Sequence, residues 1–304
     1  MTVAAWLDEV VSEDRALLSG HAACAGCGPA INIRHLLGAL QAAKPDTETV
    51  LVIPASCWTI IAGIWPVNAF KVAVHLTPFA SAAVEASAIK AALRLRGRGD
   101  TNVVVWAGDG GSCDIGFAGL SAAAERNEDI IYVLNDNEAY MNTGVQKSGA
   151  TPEGAWTTTT PTRAPRRGLK KDIARIMAAH NVPYVATLAA GSLPMLRDFR
   201  KKVERAAEIE GFRFLHVLGA CPPGWRYATA QSTEITRLAV ESRYFPLLEC
   251  DDGRWKITFR PTHEVSVGEF LETQGRFGHL SAEQIAAIQS HVDERWSLLA
   301  SLES

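Results

Sequence analysis

Six short stretches of the chain are apolar at consecutive positions rather than at alternate ones. They are rich in β-branched and aromatic residues and comprise residues 49–56, 71–76, 102–108, 130–136, 182–188 and 212–218. Apolar residues recur instead at helical spacing over residues 81–97, 114–126, 169–180, 193–208 and 231–243. Strands that are apolar throughout and alternate with helices are typical of parallel sheets covered on both faces. The pattern therefore predicts a doubly wound α/β fold with a mostly parallel sheet.

This alternation stops after about residue 244. A last helix is predicted to begin at Ser281, because Ser281 and Gln284 have the spacing of a capping box. We therefore expect a main domain over residues 1–243 and an irregular C-terminal extension over residues 244–304, which packs on the core or on a partner subunit. Residues 145–167 are rich in Thr, Pro and Gly, and so long a loop in a compact domain is expected to cover a ligand or a partner.

Composition narrows the possible partners. The chain has 304 residues, 47% of them hydrophobic, with 30 basic and 33 acidic residues and a net charge of −3. So balanced a charge creates no long-range field that would attract nucleic acid or an anionic membrane. No apolar run reaches the roughly 18 residues that span a bilayer, and the N-terminal segment lacks the features of a secretory signal. We expect a cytoplasmic protein with neither a nucleic-acid nor a membrane partner.

A glycine-rich turn, GDGG at 108–111, joins a buried strand to a helix. Glycines at such a turn let backbone N–H groups approach phosphate oxygens, and the helix N-terminus adds partial positive charge. Because the carboxyl ends of neighbouring parallel strands lie side by side, Asp109 and Asn137 are able to converge on one cation. A carboxylate and an amide, with phosphates completing the shell, suit Mg²⁺. The alternative is structural: Asp109 caps the helix and Asn137 forms an Asx turn.

Six cysteines are present, of which two form a C-x-x-C turn with glycines beside it and two lie at the ends of predicted strands. These four are Cys24, Cys27, Cys57 and Cys221. Four thiolates suit either Zn²⁺ or a [4Fe–4S] cluster, although a zinc ribbon would need a second C-x-x-C. Disulfides are not expected in a reducing compartment. Cys113 and Cys250 are interpreted as small buried apolar residues.

Several strings of the sequence resemble one enzyme family. GDGGSCDIGFAGL, DNEAYMNTGVQKSGATPEGA, CAGCG and CPPGW are similar to segments of the β subunit of 2-oxoacid:ferredoxin oxidoreductases, of the pyruvate, 2-oxoisovalerate and oxalate type. The resemblance covers about residues 15–230 and implies that residues 1–243 form a thiamine-diphosphate-binding fold with an Fe–S cluster. One departure is Pro29, where relatives often have an acidic residue.

The resemblance also implies roles for individual residues. Asp109, Asn137 and the backbone carbonyl of Ala139 would hold Mg²⁺ on the diphosphate. Asn142 and Ile60 would lie at the catalytic centre, near the thiazolium ring and the substrate. The implied contacts of thiamine diphosphate are Gly108, Asp109, Gly110, Gly111, Asn137, Ala139, Asn142, Thr143 and Cys57. The implied ligands of a [4Fe–4S] cluster are Cys24, Cys27, Cys57 and Cys221.

The implied reaction is the oxidative decarboxylation of a 2-oxoacid. Electrons would leave through the cluster to ferredoxin, and the acyl group would leave as acyl-CoA, which makes CoA the expected co-substrate. Thiamine sites also need a carboxylate on the aminopyrimidine ring, and we can place no such glutamate in this chain. We therefore expect an α subunit that completes the site, with γ and δ subunits or a ferredoxin-like domain carrying further clusters.

Two other functions are compatible with the residues alone. A non-redox, thiamine-dependent 2-oxoacid decarboxylase half would use the cysteines for a structural zinc site. A non-catalytic, zinc-stabilised binding module would keep the fold without thiamine affinity, which the intact GDG and Asn137 argue against. A basic cluster, which is either a site for CoA phosphates or acidic ferredoxin or a solvated surface, comprises Arg163, Arg166, Arg167, Lys170 and Lys171.

Overall fold

An eight-stranded sheet forms the centre of the protein, in the order β2-β1-β3-β4-β6-β5-β7-β8. The computed structural model describes residues 16–63, 67–263 and 265–303. The strands are β1 (Thr49–Pro54), β2 (Ala73–Thr77), β3 (Asn102–Gly108), β4 (Ile131–Asp136), β5 (Tyr184–Leu188), β6 (Arg213–Leu218), β7 (Leu248–Asp251) and β8 (Arg254–Ile257). The first six strands pair with one another in parallel, and β7 pairs antiparallel with both β5 and β8. The predicted mostly parallel α/β sheet is confirmed.

Helices cover both faces of this sheet. They are α1 (Gly28–Ala43), α2 (Trp58–Ile61), α3 (Ala82–Leu95), α4 (Phe117–Glu125), α5 (Ile173–Ala178), α6 (Leu193–Glu208), α7 (Pro222–Trp225), α8 (Ser232–Glu241), α9 (Val267–Glu272) and α10 (Ala282–Ser301). Successive residues of one strand enter different apolar clusters: Val104 packs with α1 and α6, whereas Val103 and Val105 pack with α3, α4 and α5. A strand buried on both faces must be apolar throughout, which is why the strand pattern was readable in the sequence.

Two regions depart from the predicted pattern. The helix α1 was not predicted, although Ile33, Leu36, Leu37 and Leu40 are all buried at helical spacing. The C-terminal extension, residues 244–304, is more regular than expected. Its hairpin β7–β8 adds to the sheet through β5, and its last helix begins after the predicted Ser281 capping box.

The β7–β8 turn explains the hairpin. Its two residues, Asp252 and Gly253, both have positive φ, at 49° and 79°. Such a turn matches the twist of the flanking strands, and Asp-Gly is among the sequences that favour it. No helix within the described ranges is long and apolar enough to cross a membrane.

Candidate cofactor and metal site

The carboxyl ends of β3 and β4 form the base of the candidate site. The two strands pair in parallel register, with Gly108 opposite Asn135. Asp109 therefore follows β3 at the same edge of the sheet where Asn137 follows β4. Only 2% of Asp109 and 9% of Asn137 is exposed, so both side chains are held within the protein. The predicted convergence of the two strand ends is present.

Three oxygen-bearing groups meet there. One end of the Asn137 side-chain amide lies 3.1 Å from Asp109 Oδ1 and 2.8 Å from the carbonyl oxygen of Ala139. With the amide nitrogen at that end, Asn137 donates a hydrogen bond to each neighbour. With the amide oxygen there, it faces the other two oxygen atoms at these distances, close to the roughly 3 Å that separates adjacent ligands of octahedral Mg²⁺. Rotation of one amide thus converts a hydrogen-bonded group into three hard oxygen ligands, and the group fits a divalent cation.

The electrostatics of Asp109 favour a cation at the same place. Burial raises the pKa of Asp109 well above its ordinary value, and the charge of Asp136 raises it further. Asp109 Oδ2 is buried and has no hydrogen-bond partner in the part of the chain that the structure describes. A buried carboxylate with an oxygen that lacks such a partner is costly unless a positive charge compensates it.

The glycine-rich turn is shaped by an aromatic ring. Residues Gly110–Asp114 form one π-helical turn before α4 begins. A Cβ atom on Gly110 would lie 1.9 Å from Tyr140 Cε1, so a side chain there would displace the ring. The ring is fixed because the Tyr140 hydroxyl donates to Asp114 Oδ2 at 2.7 Å and its edge meets Phe79. Tyr140, Asp114 and Phe79 belong to the site but were missed, since their roles depend on contacts that the motif does not contain.

A cleft of about 190 Å³ opens above this base. Its lining residues are Ala55, Ser56, Cys57, Thr59, Phe79, Gly108, Asp109, Gly110, Gly111, Asn137, Ala139, Tyr140, Met141, Asn142 and Thr143. Every residue expected from the resemblance to contact thiamine diphosphate lines this cleft. Asn142 and Thr143 are exposed, and Thr143 Oγ1 donates to Gln146 Oε1 at 2.5 Å. Ile60 is not among the lining residues, and 48% of it is exposed.

The four candidate cysteines come from separate segments. Three of them immediately precede helices: Cys27 before α1, Cys57 before α2 and Cys221 before α7. Burial raises the pKa of Cys27 to about 11, and the neighbouring Cys24 and Cys57 also raise it. Burial raises the pKa of Cys221 to about 12, with smaller contributions from the same group of thiols. The four thiols are therefore close enough to influence one another.

Proximity alone does not create a coordination site. In the described residues, no three His, Cys, Asp or Glu side chains are arranged to hold a metal ion. Cys24 is exposed, and the other three candidates are partly buried. The structure therefore brings soft sulfur ligands into one region, and their chemistry fits an iron–sulfur cluster or Zn²⁺. Cys113 and Cys250 are buried in an apolar cluster on the other side of the sheet, as expected for small apolar residues.

The basic cluster is only partly a surface feature. Lys170 Nζ lies 2.7 Å from Glu138 Oε1, and the Glu138 carboxylate is fully buried. Arg166 donates to the backbone carbonyl of Ser148 at 2.7 Å. Lys171 donates to the backbone carbonyl of Cys113. The interpretation of this cluster as a solvated surface is wrong for Lys170, because Lys170 pairs with the buried Glu138. Glu138 directly follows Asn137 in the sequence and was not considered as a partner.

The site combines a glycine-rich turn at the end of a parallel strand, the Asp109–Asn137 pair and a cleft. This combination is typical of thiamine-diphosphate sites. Residues 70–217 match the family model "Thiamine pyrophosphate enzyme, C-terminal TPP binding domain". A solved 2-oxoglutarate:ferredoxin oxidoreductase from Magnetococcus marinus, with 2-oxoglutarate, coenzyme A and succinyl-CoA bound, has the same fold. It superposes with a TM-score of 0.59 at 22% identity, over 74% of this chain and 79% of that one.

Whole-length relatives identify the family. The chain is 43% identical to ketoisovalerate oxidoreductase subunit VorB of Pyrococcus horikoshii, over 93% of this chain and 92% of the relative. It is also 43% identical to pyruvate synthase subunit PorB of Methanothermobacter marburgensis, over 93% of this chain and 96% of the relative. The chain belongs to the β-subunit family of the thiamine-diphosphate-dependent 2-oxoacid:ferredoxin oxidoreductases.

Proposed function

We propose that this chain binds Mg²⁺ and thiamine diphosphate at the ends of β3 and β4, as the β subunit of an enzyme that oxidatively decarboxylates a 2-oxoacid. The observation that carries the proposal is the convergence of Asp109, the Asn137 amide and the Ala139 carbonyl at the base of a cleft. Those three groups hold the cation. The backbone of Gly108–Gly111 faces the diphosphate, because these residues line the cleft beside the cation position.

The remaining residues of the cleft orient the cofactor and the substrate. Bound thiamine diphosphate supplies the carbon nucleophile and the electron sink that the decarboxylation of a 2-oxoacid requires. Asn142 and Thr143 lie at the exposed rim of the cleft, where a substrate enters. Ile60 lies three positions after Cys57, outside the lining residues, and contributes to the substrate pocket only where a second subunit closes over it.

Cys24, Cys27, Cys57 and Cys221 hold a [4Fe–4S] cluster in this proposal. Cys57 also lines the cleft, so the cluster and the thiamine site share a wall and electrons have a short path between them. Ferredoxin is the final acceptor and CoA the acyl acceptor. A cytoplasmic location is part of the same proposal, because a thiolate-bound cluster needs a reducing compartment.

An α subunit completes the active site. Among the described residues that line the cleft, Asp109 is the only acidic one, and in this proposal it binds the cation. The carboxylate for the aminopyrimidine ring then comes from another chain. The γ and δ subunits, or an equivalent ferredoxin-like domain, carry electrons onward.

Anaerobic titration of thiamine diphosphate with Mg²⁺ tests this assembly. We expect weak binding to the isolated chain, and tight binding together with 2-oxoacid-dependent reduction of a viologen once the α subunit is present. Iron and acid-labile sulfide analysis of the same preparation separates a cluster from the zinc of a non-redox decarboxylase half. Tight binding and turnover by the isolated chain would contradict the proposed division of the site.

A further inference from the structure

A buried acid separates the two metal-binding residues that follow β4. Glu138 stands between Asn137 and Ala139, and none of its surface is exposed. Its φ is +67°, in the left-handed region that residues other than glycine rarely adopt. A residue persists in this conformation only when its surroundings impose it. The turn that presents the Asn137 amide and the Ala139 carbonyl to Asp109 is therefore held from outside.

Two cations hold the Glu138 carboxylate. Lys170 Nζ lies 2.7 Å from Oε1, and Arg276 Nη2 lies 2.6 Å from Oε2. Lys170 also faces Asp136 Oδ2 at 3.7 Å, and His216 Nε2 lies 2.8 Å from the same oxygen. Two buried carboxylates thus meet the buried Arg276 and the largely buried Lys170, and replacement of any one would leave a charge without compensation.

Three successive backbone carbonyl groups of the turn each have a different partner. Trp225 Nε1 donates to the carbonyl of Asn137 at 2.8 Å, and Thr151 Oγ1 donates to the carbonyl of Glu138 at 2.6 Å. The next carbonyl, that of Ala139, faces the Asn137 amide and Asp109 instead. Trp225 also stacks under Arg276, with the guanidinium carbon 3.9 Å from the ring centroid. The same contacts therefore bind the turn to α7 and to the C-terminal extension.

We propose that Glu138, clamped by Lys170 and Arg276, is a positioning residue that sets the Asn137 amide and the Ala139 carbonyl for the divalent cation. Neither Glu138 nor its two cations line the cleft, so the network does not touch the cofactor and acts on its binding through the turn that carries the ligands. Through its contact with Glu138, Arg276 gives the C-terminal extension an indirect role in the metal site. This inference rests on the proposed function, because it takes Asp109, Asn137 and Ala139 as the metal ligands.

The test uses the assembled enzyme and Mn²⁺ as a paramagnetic substitute for Mg²⁺. Free Mn²⁺ is measured by electron paramagnetic resonance in the presence of thiamine diphosphate, for the wild type, Glu138→Gln and Arg276→Lys. We expect both variants to weaken Mn²⁺ binding by about 10-fold to 100-fold, with Glu138→Gln the more severe. Turnover at saturating metal should recover, so the loss should appear in the KM for the metal more than in kcat.

Lys202→Met is the matched control. Lys202 is a buried lysine that pairs with Asp198 at 2.5 Å and donates to the carbonyl of Thr187, far from the Asn137 turn in the sequence. It should lower the melting temperature while leaving Mn²⁺ affinity unchanged. If Glu138→Gln fails to assemble, Arg276→Lys decides, because it keeps the buried charge.

The outcomes are distinguishable. Wild-type Mn²⁺ affinity in Glu138→Gln, or in Arg276→Lys where that variant decides, would overturn this inference alone. An equal loss of affinity in Lys202→Met would also overturn it, because general destabilisation would then account for the effect. A wild-type complex that binds no Mn²⁺ with thiamine diphosphate would overturn the proposed metal site as well.

Discussion

The oxygen ligands and the cysteines of this protein are organised in different ways. Asp109 and Asn137 follow adjacent parallel strands whose register is fixed by hydrogen bonds, and both are almost fully buried. The candidate cysteines precede three different helices or, like Cys24, lie on an exposed turn. No three metal-ligand side chains of the described residues are set for coordination. If the proposed metals bind, the sheet has already arranged the oxygen ligands for Mg²⁺, whereas binding of a cluster would have to draw the thiolates together, as metals often do.

Asp109→Asn should have the largest effect on the oxygen site. The substitution removes the only charged ligand that the protein supplies. We therefore expect thiamine diphosphate affinity to fall by more than about 100-fold, a larger loss than the removal of a residue that only supports a metal ligand. The cofactor-free variant should be at least as stable as the wild type, because burial raises the pKa of Asp109 and disfavours its charged form. Calorimetric titration and thermal unfolding measure the two effects. Unchanged cofactor affinity would remove Asp109 from the metal site, and iron content should stay normal throughout.

Replacement of single cysteines by serine should have the opposite effect: iron should be lost while cofactor binding is retained. We expect Cys24→Ser, Cys27→Ser and Cys221→Ser to lose most of the iron and the brown absorbance while Mg²⁺–thiamine diphosphate still binds. Cys57→Ser should impair both, because Cys57 also lines the cleft. Cys113→Ala and Cys250→Ala are the controls, since both side chains are buried in an apolar cluster and should not affect iron. Anaerobic iron and sulfide analysis decides, and iron loss confined to the controls would refute this choice of ligands.

The smallest effect is expected at the glycine-rich turn. Gly110→Ala places a methyl group against the Tyr140 ring and should destabilise the protein by about 1–3 kcal/mol, the usual cost of overpacking. Gly108→Ala meets no atom within 4 Å, so its stability should stay within about 0.5 kcal/mol of the wild type. Denaturant unfolding without cofactor compares the pair. Equal stability of the two variants would show that Tyr140 moves freely and does not shape the turn.

Strands and motif positions were largely predictable from the sequence. The predicted strand 102–108 coincides with β3, and the predicted helix 193–208 coincides with α6. Both are long, strongly patterned segments, in which burial on two faces or on one helical face dictates residue type. Asp109 and Asn137 were predictable because parallel strands bring their carboxyl ends to one edge.

Other features depend on contacts that no local pattern contains. Strands β7 and β8 have four residues each and little apolar pattern, although the Asp252-Gly253 pair was a usable hairpin signal. The ion pair between Glu138 and Arg276 joins the predicted main domain to the C-terminal extension, and no pattern in the sequence links these two residues. Charged residues usually lie on surfaces, so the burial of Glu138 could not be inferred from its type.

The antiparallel hairpin β7–β8 also bears on how quickly the chain reaches its native state. It is the only pairing of the described strands that joins sequence neighbours through a tight turn; the parallel pairs require long crossovers. One edge of β4 pairs with β3 and the other with β6. During synthesis, the edge that pairs with β6 stays unpaired until β5, two helices and β6 itself have been made. At about 5–20 residues per second, a ribosome leaves that apolar edge unpaired for several seconds. Pairings between strands that are distant in the sequence form slowly in general, so we expect the nascent chain to fold slowly.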